Sequence, residues 1–147
     1  MRREAGFSLI EMMVVLAIVS LAAGLVVVSA PGPSGQLAQE TDRLIRGLVA
    51  ARDLALIENR TVIVEVSETG YAMRVASRIG PVREVEVTLW NERTTVASAD
   101  GRMPAVIAFD PVGITEPASF TLFNEGAKDG VVIDPSGRIS RLGEAQP

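Results

Sequence analysis

Gly6-Phe7-Ser8-Leu9-Ile10-Glu11-Met12-Met13-Val14-Val15-Leu16-Ala17-Ile18 opens an apolar run that continues to Ala30. From Phe7 to Ala30 the run holds 24 residues and a single charge, Glu11. As a helix it would cover about 36 Å, against a hydrocarbon core of roughly 30 Å. Arg2 and Arg3 precede it. The positive-inside rule then keeps the amino terminus cytoplasmic and sends the carboxyl-terminal part across the membrane. Glu11 is the anomaly, because a carboxylate at the centre of a membrane helix costs about 2.5–3.5 kcal/mol on insertion scales. An ordinary secretory signal is the competing reading, with Ala22, Ala23, Gly24, Ser29 and Ala30 as small residues near a cleavage point. The length of the run and the position of Glu11 argue against it.

The chain has 147 residues, enough for one domain with a modest core. It contains no cysteine and no histidine. Disulfide and thiolate chemistry are thereby excluded, as are Ser–His and Cys–His catalysis and Cys/His metal clusters. The net charge is −4. Without residues 1–6 the basic residues fall from 14 to 12 and the acidic ones from 18 to 17, giving −5. An acidic domain is a poor partner for nucleic acid, whose binding depends on neutralising phosphates. Asp100, Asp110, Asp129 and Asp134 each sit beside Gly or Pro. They read as turn residues, with calcium ligation as the alternative.

Pro31-Gly32-Pro33-Ser34-Gly35 breaks the helical pattern, and Ser34 is placed to cap a second helix. Over 36–60 the apolar residues Leu37, Leu44, Leu48, Ala51 and Ala55 share one face, flanked by Ile45, Val49 and Leu56. Asp42, Arg43, Arg46 and Asp53 fall opposite, with Asp42 and Arg46 spaced as an i,i+4 pair, and Arg52 is an exception within the apolar arc. After Asn59 the period changes to alternation. Strands are predicted at 62–66, 71–75, 84–89, 94–97, 105–109, 119–123, 130–133 and 138–142. Turn signals between them include Glu68-Thr69-Gly70, Asn124 to Gly126, Asp129-Gly130 and Asp134-Pro135-Ser136-Gly137. Trp90 is expected on an outward face, either as an interface anchor or as a cover for the sheet edge.

The stretch from Gly6 to Ile18 resembles the class III signal of type IV pilins and type II secretion pseudopilins. The architecture sharpens this. A hydrophobic helix followed by a compact Val-rich β-domain is similar to the minor pseudopilin H / FimT group (GspH/FimT-like). Phe109-Asp110-Pro111-Val112-Gly113 and Asp134-Pro135-Ser136-Gly137-Arg138-Ile139 look like that group's late strand and turn motifs. The paired Pro31 and Pro33 and the lack of a cysteine-closed loop depart from common pilin patterns. The resemblance implies an α+β fold. A long N-terminal hydrophobic helix is followed by an amphipathic helix packed on an antiparallel β-sandwich or curved sheet of about eight strands. The implied organisation is a cleaved leader over 1–6, a transmembrane and filament-core helix over 7–30, a hinge over 31–35, a helix over 36–60 and a periplasmic β-domain over 61–147.

The same resemblance implies cleavage by a prepilin peptidase between Gly6 and Phe7, followed by N-methylation of Phe7. In the filament Glu11 would pair with the Phe7 ammonium of a neighbouring subunit, each charge compensating the other in a dry core. The implied role is a structural minor pseudopilin near the tip of a type II secretion pseudopilus, with no enzymatic activity and no cofactor. Its partners would be the peptidase, other minor and major pseudopilins, the inner-membrane assembly platform and, before assembly, membrane lipid. It would cross the inner membrane once, with its β-domain in the periplasm. The alternative is a FimT-like minor pilin of a type IV pilus, acting in pilus assembly or DNA uptake. Arg138 and Arg141 are the basic residues that the tail offers for DNA, beside Glu144. A carboxylate-pair enzyme is the third class, and no constellation in the sequence motivates it.

Overall fold

The computed structural model describes residues 8–28, 32–77 and 80–143, with 24–28 as backbone only. The expected leader and the pair Gly6 and Phe7 lie outside these residues. The chain divides into two compact units, Met1–Gly32 and Pro33–Pro147.

The first unit holds helix α1, Leu9–Val28. Its sequence is apolar on all sides, so it has no polar face to turn to water. Among the residues described in full, no helix is long and apolar enough to cross a membrane. The span expected over 7–30 runs past both ends of that stretch.

The second unit opens with helix α2, Pro33–Glu58. The helix expected from residue 36 starts earlier because Pro33 fits a first helical turn. Its φ is already helical, and its missing N–H would be unpaired there in any case. Ser34 therefore lies within the first turn and does not cap it. The helix stops at Asn59, whose φ of 51° is left-handed, while the Arg60 N–H donates back to the Ala55 carbonyl at 3.2 Å. The expected apolar face is the buried one: Leu37, Leu44, Leu48, Ala51 and Ala55 are at most 1% exposed. Asp42 pairs with Arg141, not with Arg46.

Eight strands follow: β1 Val62–Val66, β2 Gly70–Val75, β3 Arg83–Leu89, β4 Thr95–Ser98, β5 Ala105–Phe109, β6 Ala118–Asn124, β7 Ala127–Ile133 and β8 Ile139–Arg141. They form two antiparallel sheets in the orders β3-β2-β1-β5 and β4-β6-β7-β8. Helix α2 packs against β1, β2 and β5 of the first and β6, β7 and β8 of the second. Alternation does the sorting. Val62, Val64 and Val66 of β1 face the core with Tyr71, Met73 and Val75 of β2. Phe109 and Phe120, one from each sheet, are both fully buried.

Two local expectations are corrected, and the facing of one strand is set by register. Asp129-Gly130 is not a turn. The β6–β7 hairpin closes at Glu125-Gly126, where φ is 46° and 86°, the pattern of a two-residue I′ turn. Gly130 lies within β7 because a methyl group there would stand 2.6 Å from the Phe120 carbonyl oxygen. Trp90 is not an outward residue. It is 8% exposed, its Nε1 donates to the Ser67 carbonyl at 2.9 Å, and its ring centroid is 5.6 Å from that of Tyr71. In β3 the apolar row faces away from the core. Register puts Glu86 opposite Met73 and Thr88 opposite Tyr71, so Val87 and Leu89 lie on the other face, 56% and 68% exposed.

Two turns of the same sequence type, Asp-Pro-x-Gly, end β5 and β7. Asp110 Oδ1 accepts the N–H groups of Val112 and Ile114 at 3.0 and 2.8 Å. Asp134 Oδ1 accepts those of Ser136 and Arg138 at 2.8 and 3.0 Å. The Ser136 hydroxyl, and after it the Arg138 N–H, hold the Asp134 carboxyl below the usual carboxylate range. Each turn needs its glycine, with φ of 82° at Gly113 and 75° at Gly137. The turns also interlock, since a methyl on Gly137 would sit 2.0 Å from the Gly113 carbonyl oxygen.

Gly137→Ala is accordingly expected to cost about 3 kcal/mol, combining a left-handed φ with a backbone clash. Gly126→Ala is its control, because nothing lies within 4 Å of the new methyl. That substitution should cost about 1 kcal/mol, the conformational part alone. Urea denaturation of the detergent-solubilised chain, followed by Trp90 fluorescence, measures both.

Candidate functional site

Two regions carry side chains that the packing of a lone domain does not explain: the start of α1 and the far end of α2.

Helix α1 begins at a cap. The Ser8 Oγ accepts the N–H of Ile10 at 3.3 Å, and the Ser8 carbonyl accepts those of Glu11 and Met12 at 3.0 and 3.2 Å. Glu11 is the third residue after Ser8, the Ser-x-x-Glu spacing of a capping box, and its charge lies in the first turn, where the helix dipole favours an anion. That spacing was visible in the sequence, and it sets the Glu11 charge at the start of the helix. Glu11 is exposed, as are Leu9, Ile10, Met12, Met13, Leu16 and Leu21, at 53% or more. This apolar surface has no protein partner among the described residues. The proposed pairing of Glu11 with Phe7 of another subunit involves a residue outside them.

The second unit is held by charges that sequence reading missed. Glu40, inside α2 and 7% exposed, accepts the Asn91 N–H at 2.5 Å and the Thr94 hydroxyl. It pins the connection from β3 to β4, and thus from one sheet to the other, onto the helix. Arg141 of β8 donates through Nη2 to the Ala38 carbonyl at 3.1 Å and pairs with Asp42 at 2.9 Å and Asp129 at 3.1 Å. A guanidinium committed to two carboxylates is not offered to phosphates, which removes Arg141 from a DNA-binding tail. Tyr71 donates to the Arg43 carbonyl at 3.3 Å over Gly47, where a methyl would stand 2.7 Å from its oxygen. Burial pushes the Tyr71 phenol above its usual range.

The acidic turn residues have local work. Asp100 accepts the Ser98 hydroxyl at 2.6 Å, which, ahead of the Arg102 N–H, holds its carboxyl low. Asp110 and Asp134 close the twin turns, and Asp129 serves Arg141. At the end of α2, Arg52 differs. It is partly exposed, its Nε is buried without a hydrogen-bond partner, and Gly113 and Gly137 press on its stem.

Glu40→Ala strips the acceptor from a backbone N–H and a buried hydroxyl. It is expected to lower stability by about 2–3 kcal/mol in the same denaturation experiment.

Comparison with known proteins adds two family matches. Residues 1–27 match the prokaryotic N-terminal methylation motif, and residues 40–137 match the type II transport protein GspH family. No curated protein matches the chain. Among solved structures, the minor pseudopilin EpsH of the Vibrio cholerae type 2 secretion system is similar at a TM-score of 0.64 and 13% identity, covering 74% of this chain and 99% of that one. The type IV minor pilin FimU of Pseudomonas aeruginosa gives 0.60 at 15% identity, covering 72% and 92%. Escherichia coli GspH gives 0.56 at 16%, covering 75% and 92%. At these identities the likeness is one of fold: helices on antiparallel sheets, as in the pseudopilins.

Proposed function

The chain belongs to the type II transport protein GspH family, a family of structural pilin-type subunits and not of enzymes, and from that premise we propose that it is a minor pseudopilin of a type II secretion pseudopilus. The observation that carries the reading is α1: a helix apolar on every side, wholly exposed where its side chains are described, in one chain with a GspH domain. Such a surface must be covered by lipid or by other helices, and a pilin-type subunit uses both in turn. In this reading prepilin peptidase cuts between Gly6 and Phe7 and Phe7 is N-methylated. The chain waits in the inner membrane with its β-domain in the periplasm, then joins the filament near its tip. The Phe7 ammonium and Glu11 carboxylate of neighbouring subunits set the stagger between helices, because either charge alone is costly in a dry core.

The second reading is a minor pilin of a type IV pilus. Its support is the likeness to FimU, whose TM-score of 0.60 is close to the 0.64 for EpsH. DNA binding gains nothing from the fold, since Arg141 is spent on Asp42 and Asp129.

Mass spectrometry of membrane-extracted protein should find chains that start at N-methylated Phe7. A start at Met1 or after Ala30 refutes the proposal. Glu11→Leu should mature normally yet assemble poorly, read as lost exoprotein export in the complemented deletion strain. Normal export would remove the pairing role from Glu11. Deletion that abolishes twitching or DNA uptake while sparing export would favour the second reading.

A further inference from the structure

Arg52 stands within the apolar arc of α2 as a charge that has no counter-charge among the described residues. Its Nε is buried and unpartnered, and among the described residues no carboxylate pairs with its guanidinium. Its stem is gripped by the twin turns, since methyl groups on Gly113 and Gly137 would lie 3.2 and 3.3 Å from Nε. The same Gly113 position lies 3.6 Å from Leu56 Cδ2, so helix, arginine and turn form one surface. The apolar side chains beside it are exposed: Leu56 44% on the helix, and Val112 67% and Ile114 52% on either side of Gly113.

An arginine held among exposed apolar groups has the composition of an interface centre. A planar guanidinium with no internal partner selects a carboxylate, which it can bind in bidentate fashion. A phosphate backbone or an anionic bilayer would demand several cations. Here Asp53, Asp110 and Asp134 lie on the same elements. We propose that this end of α2, centred on Arg52, is a docking surface for another pilin-type subunit that presents an Asp or Glu side chain between apolar ones. The inference rests on the pilus-subunit reading above and extends it to a specific contact.

The test uses the full chain in its host, with a photo-cross-linking phenylalanine analogue in place of Leu56 and sequencing of the cross-linked peptides. The expected adduct joins a different pilin-type subunit at a peptide containing Asp or Glu. Arg52→Glu should cut its yield about tenfold or more, and a basic residue at the partner's carboxylate should restore it. Should Arg52→Glu lower the stability of the chain, Val112→Asp on the exposed turn takes its place, with the same loss expected. A yield that neither variant changes overturns the proposal, as does an adduct only to a second copy of the chain or to lipid. Chains that mature at Phe7 and enter the filament without an Arg52-dependent adduct sink the docking surface alone. Chains that never mature sink the reading beneath it as well.

Discussion

Both sheets depend on one buried stripe. Leu37, Leu44, Leu48, Ala51 and Ala55 run along a single face of α2, and strands from both sheets close over it. The small residues near the end of the stripe let strands approach, and the leucines near its start fill the space between the sheets. Glu40 and Arg141 secure the arrangement from either side. One ties the β3–β4 crossing to the helix and the other ties the last strand to it. These are buried or half-buried polar contacts with all-or-none geometry, so they fix where the sheets sit as well as how firmly.

The chain carries two helices with opposite fates. Helix α2 has an apolar stripe and a charged back, and its own domain buries that stripe. Helix α1 has no polar back, and nothing within the described chain covers it. The cap at Ser8 and the acidic first turn make its start self-sufficient, so the helix can form before any partner arrives. A segment of this kind is indifferent to whether its surroundings are acyl chains or other helices, which suits a subunit that passes from one to the other.

Much of the fold was legible from period alone. The change from helical spacing to alternation after Asn59 located β1 and β2, and Pro and Gly marked most turns. What escaped was whatever depends on partners distant in the chain. Val85, Val87 and Leu89 alternate like a half-buried strand, but an edge position leaves that row in solvent and turns Glu86 and Thr88 toward Tyr71. Asp129-Gly130 carries a turn signature, yet the absent side chain of Gly130 answers a close carbonyl on the neighbouring strand. Glu40 lies at the edge of the buried face of α2, three residues after Leu37 and four before Leu44, and only the crossing at Asn91 and Thr94 supplies the partners that a carboxylate needs there. The Ser8–Glu11 spacing, by contrast, could have been read directly. Of the candidate site, the N-terminal methylation motif matched over residues 1–27 was plain in sequence. The isolation of Arg52 appeared only when two turns from distant parts of the chain closed around it.

The bond from Arg141 to the Ala38 carbonyl joins residues 103 positions apart. The first helix of the domain thus finds its closing partner in β8, the last of the eight strands. A chain threaded outward from its amino end cannot finish this fold until nearly all of it has emerged. Such wide sequence separation slows folding, because a long loop must close before the contact forms. One contact therefore makes the start of the domain's helix depend on its last strand, at opposite ends of the domain's sequence.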